Sequence, residues 1–140
     1  MGPFKQRGRQ NAGAGDTIFG LPVIPDPDHL MSYEFARARR YERPIAVMAL
    51  AADQLPDDGD LRLRFSDMVT VDVRRGAVVA LMPETDGTDL AGALRRVRAA
   101  LPVGATVGGA AFPDDALTLA NLVDVALERC GIGIAATEAA

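Results

Sequence analysis

Three continuous apolar runs, Ile45 to Ala52, Ala77 to Met82 and Ala105 to Phe112, constrain what this chain can fold into more than any other feature. Each has the length of a strand, and a strand whose successive side chains are all apolar must be covered on both faces. The chain must therefore supply layers above and below a sheet. All three runs are far shorter than the roughly 20 apolar residues of a membrane helix, so no membrane partner is expected. With 140 residues, 49% of them apolar, the chain is long enough for one packed core and too short for two full domains.

The segments between the runs supply the layers. His29 to Glu42 reads as a helix, with Asp26 or Asp28 able to cap it, Leu30, Tyr33, Phe35, Ala38 and Tyr41 near one stripe, and Pro44 stopping it. Gln54 to Asp60 reads as a loop, and Leu61, Leu63 and Phe65 alternate with Arg62 and Arg64 as in a short strand. Met68 to Val73 and Ala77 to Met82 flank Arg74-Arg75-Gly76, the pattern of an antiparallel hairpin whose Gly76 supplies a positive φ. Thr88 to Leu101 follows as a helix burying Leu90, Leu94, Val97 and Leu101, and Thr118 to Cys130 as a last helix burying Leu119, Leu122, Val123, Ala126 and Leu127. Gly108 and Gly109 leave room for close packing on the intervening strand. The expected fold is α+β, a mainly antiparallel sheet with packed helices.

At the front, residues 1–16 lack any apolar period and read as a flexible tail, as do residues 135–140. Residues 17–27 form an extended apolar segment in which Gly20, Pro22 and Pro25 exclude a helix. Ile18, Phe19, Leu21, Val23 and Ile24 then lie either on the domain's own core or on a partner; both readings stand at this point. The folded domain is expected over residues 28–134.

Charge and ligand chemistry exclude several functions. Residues 1–50 carry a surplus of two positive charges and residues 51–140 a surplus of six negative ones, for a net charge of −4. With a pI near 4.9, nucleic-acid binding is not expected. The cluster Arg37, Arg39, Arg40 and Arg43 reads as a solvated helix face. One cysteine, Cys130, and one histidine, His29, are too few for a structural zinc site or a Ser-His-Asp set, and no metal or cofactor is expected. Asp57-Asp58-Gly59-Asp60 lacks the distal Glu of a calcium loop. The N-terminus lacks the apolar stretch of a signal peptide, which leads to an expectation of a cytoplasmic protein.

Three segments in order carry a family signal: Arg37-Ala-Arg-Arg-Tyr-Glu-Arg-Pro-Ile-Ala-Val-Met-Ala-Leu50, Val79-Ala-Leu-Met-Pro-Glu-Thr-Asp86, and Ala105 to Leu119 with Leu122 to Leu127. Together, over most of residues 28–131, they resemble the GGDEF domain of bacterial diguanylate cyclases. The resemblance implies a nucleotide-cyclase-like sheet with a ferredoxin-like core, a bacterial source and a place in signalling. It also implies what is missing. The family's signature turn falls on Arg74-Arg75-Gly76-Ala77-Val78, which holds no carboxylate, and the metal-binding Asp-x-Asp at the end of the first strand falls on Ala51-Ala52-Asp53, so its first Asp is Ala51. Between first strand and hairpin the family has two helices with guanine-contacting Asn and Asp; here the stretch is short, and only Asp60 stands near the second of these.

The expectation is accordingly a catalytically inactive, truncated GGDEF-like domain, not an enzyme, acting as a protein-binding adaptor or regulatory module. Sheet surface uncovered by the missing helices would be closed by a protein partner or a homodimer, unless Leu61 to Phe65 or Thr17 to Pro25 folds over it. Leu61, Leu63 and Phe65 join Ile18, Phe19, Leu21, Val23 and Ile24 as candidate partner-binding residues. The alternative is a cyclic di-GMP or nucleotide sensor. Arg64-Phe65-Ser66-Asp67 has the Arg-x-x-Asp pattern of the family's inhibition site, one residue out of register, and Arg74 and Arg75 add charge suited to phosphate.

Overall fold

The computed structural model describes residues 17–24, 27–51, 53, 63–64 and 66–131. In chain order the elements are β1 (Thr17–Ile18), β2 (Leu21–Pro22), α1 (Pro27–Arg40), β3 (Ile45–Ala51), β4 (Met68–Asp72), β5 (Ala77–Pro83), α2 (Gly87–Ala100), β6 (Val107–Phe112) and α3 (Leu119–Arg129). The sheet order is β4-β5-β3-β6, antiparallel throughout, with β1 and β2 as a separate two-stranded ribbon. Three helices on a four-stranded antiparallel sheet make the expected α+β fold.

The apolar runs occupy the positions that demand cover on both faces. Along β3, Ala46, Met48 and Leu50 point into one core layer with Val78, Ala80 and Met82, while Ile45, Val47 and Ala49 point into the other with Ala77, Val79 and Leu81. The first layer is closed by α2 through Leu90, Ala93 and Val97, and by the ribbon through Ile18, Phe19, Leu21 and Val23. The second is closed by α1 through Met31, Phe35 and Ala38, and by α3 through Leu122, Ala126 and Leu127. Phe35 meets Phe112 edge to face, with ring centroids 5.3 Å apart.

Local chemistry sets the boundaries. Asp86 caps α2 by accepting from the Asp89 N–H at 2.8 Å, and Thr118 caps α3 by accepting from the Asn121 N–H at 3.1 Å. Gly131, at φ 82°, ends α3, and Gly76, at φ 64°, closes the β4–β5 turn as its position in the sequence requires. Cys130 is a buried thiol at the end of α3 that donates to the Leu127 carbonyl. His29 is exposed near the start of α1.

Two expectations are corrected and one open alternative is decided. The buried stripe of α1 is Met31, Phe35 and Ala38, which face the second core layer, whereas Leu30, Tyr33 and, just past the helix, Tyr41 are each more than half exposed. Leu63 and Arg64 belong to no strand; the Leu63 N–H donates to the Phe19 carbonyl at 3.1 Å instead, while Leu61 and Phe65 lie outside the described residues. Of the two covers the sequence leaves open for this sheet face, a partner or the chain's own segments, the described residues supply the second. The ribbon lies on it beside α2, and its buried side chains, Ile18, Phe19, Leu21 and Val23, are part of the chain's own core rather than an open contact surface. Val23 pairs in parallel with Val69, the Ile24 N–H donates to the Val69 carbonyl at 2.9 Å, and the Thr70 hydroxyl donates to the Ile24 carbonyl at 2.9 Å.

Candidate functional site

The register of β3 and β5 brings two sequence-predicted segments to one end of the sheet. Ala51 pairs with Ala77, so the strand end carrying Ala51 and Asp53 lies beside the turn Val73–Gly76. This is where the family resemblance would bring two metal-binding carboxylates together. The paired strand ends present the methyl groups of Ala51 and Ala77, and beyond them stand Asp53 and the two arginines of the turn. Asp72, one residue before the turn, is engaged: its carboxylate accepts from the Arg75 backbone N–H at 3.2 Å and lies 3.6 Å from the Arg75 guanidinium. That guanidinium also reaches across to Asp124 on α3, at 3.2 Å. Arg74 is exposed. Among the described residues, no group of three or more His, Cys, Asp or Glu side chains is placed to hold a metal ion.

Arg64 and Asp67 occupy the opposite end of the same hairpin, where Met68 pairs with Leu81. The four residues expected to share a ligand are therefore two pairs, separated by the length of β4. At its own end, Asp67 closes a tight local loop. Its carboxylate accepts from the Arg64 backbone N–H at 3.0 Å and the Arg64 guanidinium at 3.3 Å, and the side chain has no exposure to solvent. Burial raises the Asp67 carboxyl above its ordinary value, against the opposing pull of Arg64. The same Arg64 guanidinium donates to the Pro83 carbonyl and to the hydroxyl of the buried Thr85. Arg64 thus clamps the loop before β4 to the end of β5, and its partners there are protein groups.

Two recesses lie beside α1. One, of about 480 Å³, is lined by Glu34, Arg37, Tyr41, Arg43 and Glu84 among others. Arg43 holds Glu84 through three contacts between 2.7 and 3.2 Å, tying the start of β3 to the end of β5. That hydrogen bonding holds the Glu84 carboxyl below its ordinary value, with the charges of Arg37 and Arg64 adding to the effect. Both side chains are well exposed, so solvent screens the pair.

The other recess, about 350 Å³, runs between α1 and α3 over a floor of Val47, Val79 and Leu81. Met31 and Ser32 line one wall, Leu119, Ala120 and Val123 the other, and the Asp72–Arg75–Asp124 cluster closes an end. Sequence reasoning did not find this groove. Its walls come from helices about 90 residues apart, and the alternating apolar pattern of each helix says only which stripe is buried, not that the two stripes leave a gap.

No family model matches the chain, and no curated protein matches it. Among solved structures, it is similar to a sensory box/GGDEF family protein from Caulobacter crescentus CB15, with 16% identity, a TM-score of 0.55, and coverage of 89% of this chain and 98% of that one. At that identity the likeness carries the fold, which is GGDEF-like. No helix among the described residues is long and apolar enough to cross a membrane.

Proposed function

We propose that this chain is a non-enzymatic GGDEF-like module that works by contact with a protein partner. The observation that supports the reading is the sheet end where Ala51 pairs with Ala77 beside Arg74 and Arg75. A methyl group cannot ligate Mg²⁺, and the turn supplies arginines in place of the carboxylate a cation would need. The nearest carboxylate on the hairpin, Asp72, is taken up by Arg75. Phosphoryl transfer depends almost wholly on positioning and charge neutralisation, so a site without either metal anchor loses the reaction rather than slowing it.

The alternative, a cyclic di-GMP or nucleotide sensor on Arg64 and Asp67 with Arg74 and Arg75, has weaker support. The Asp67 carboxylate lies buried against Arg64, and the two arginines of the turn are at the far end of β4. Isothermal calorimetry of the full chain with cyclic di-GMP, and with GTP and Mg²⁺, separates the readings. The expected result is no saturable heat at micromolar concentrations. Saturable heat that disappears in Arg64→Ala would establish the sensor instead. For protein contact, the tagged full chain expressed in its native cell is expected to retain one discrete partner after crosslinking, and recovery of the bare chain alone would count against it.

A further inference from the structure

The groove between α1 and α3 is apolar along its floor and carries a net negative charge at the end where Asp72 and Asp124 share the single guanidinium of Arg75. An occupant that fits it has one bulky apolar side chain and several basic ones. Residues 1–16 of this chain, which lie outside the described part, have that chemistry: Phe4 is their one aromatic side chain, and Lys5, Arg7 and Arg9 stand against one acid, Asp16.

The described residues also place the end of that segment close to the groove. Thr70 lines the groove, and its hydroxyl donates to the Ile24 carbonyl, so the stretch that leads out of the ribbon runs along the groove's wall at the edge of β4. Direction agrees as well. Val23 runs parallel to β4 and Thr17 pairs antiparallel with Pro22, so the chain followed backward from Thr17 heads the way β4 does, toward Asp72. The 13 residues from Phe4 to Asp16 can span about 40 Å when extended, ample to round one strand edge.

We propose that residues 1–16 occupy the α1–α3 groove of their own chain, Phe4 seated on the apolar floor and the basic residues against Asp72 and Asp124. A partner using this surface then has to displace the chain's own N-terminal segment. The inference does not depend on whether the sheet end at Ala51 and Ala77 is catalytic.

Photo-crosslinking of the full chain tests it. With Phe4→p-benzoylphenylalanine, illumination is expected to give an intramolecular adduct, in the monomer band, on peptides containing Met31 or Leu119 to Val123. The combined reversal Lys5→Glu, Arg7→Glu and Arg9→Glu, at positions outside the described residues, should cut the adduct yield severalfold, as should salt near about 1 M, where charges are screened beyond about 3 Å. Adducts elsewhere on the chain, adducts confined to a dimer band, no adduct, or a yield indifferent to the charge reversals would each overturn it.

Discussion

The two faces of the sheet draw on the same four strands and are closed in different ways. On one face, α1 and α3 flank the strands, and the space between them remains as a groove. On the other, only α2 comes from the conventional place between strands, and a ribbon from ahead of the first helix lies beside it. The reason is length. Sixteen residues separate β3 from β4, too few for the two helices the family resemblance implies there. The apolar side chains of Met48, Val69 and Val78 still require cover, and Ile18, Phe19, Leu21 and Val23 supply it. Part of the layer on this face thus comes from the stretch of sequence ahead of α1.

Removing the ribbon is the strongest way to break this comparison. Four fully buried apolar side chains contribute on the order of 6–12 kcal/mol by burial alone, as much as the whole stability of an ordinary domain. Deletion of residues 1–25 is expected to abolish cooperative thermal unfolding, while deletion of residues 1–16 leaves a cooperative transition with a small change in Tm. Equal, modest losses from both deletions would mean that the ribbon is not part of the core.

Neighbouring glycines on β6 sharpen the contrast, since they face opposite layers. A Cβ on Gly108 would lie 2.4 Å from the Ala126 carbonyl oxygen and 2.6 Å from the Cys130 nitrogen, both backbone atoms of the α3 end. On Gly109 it would meet only the side-chain tips of Leu90 and Leu94, at 3.1 Å. Gly108→Ala is expected to cost about 3 kcal/mol or more because a helix must move, and Gly109→Ala about 1 kcal/mol or less because leucine tips can turn aside. Chemical denaturation of the two variants checks the ratio. A reversed order would mean that α2, not α3, is the more closely seated helix.

The smallest effect concerns acid. Asp115, hydrogen-bonded by Arg129 and by the Ala111 N–H, and Glu84, held by Arg43, both have carboxyls below their ordinary values. Their contribution is present above the unfolded carboxylate range and is lost as pH falls through their folded values. Asp67 has the opposite sign. Its folded value is raised, so the native state holds more protons in the window above about 3.9, and acidification through that window adds stability. Asp67→Asn removes this gain. Its Tm is expected to fall more steeply than that of the parent as pH drops from about 6 to about 3, and a shallower fall would contradict the assigned direction.

Legibility in the sequence followed how local each constraint is. The strands β3, β5 and β6 could be read because an unbroken apolar run admits few other uses, and the β4–β5 turn because Gly76 must take a positive φ. The α1 stripe was misassigned because Leu30, Tyr33 and Tyr41 are apolar by type yet exposed; only the line of contact with β5 decides which face is inside. Arg64 and Asp67 were legible as a pair from their spacing. Their further partners, Pro83 and Thr85, depend on where β5 ends, and the Arg75–Asp124 contact joins residues 49 positions apart. Such contacts are set by the register of the sheet, which no short motif encodes.

The most direct test of the central claim is GTP turnover by the purified full chain with Mg²⁺ or Mn²⁺, followed chromatographically over hours at high protein concentration. The expected result is recovery of GTP unchanged, with no cyclic dinucleotide above the protein-free control. Cyclic di-GMP formed in proportion to protein, and lost on addition of a chelator, would contradict the claim and would mean that a metal site exists despite Ala51, Arg74 and Arg75.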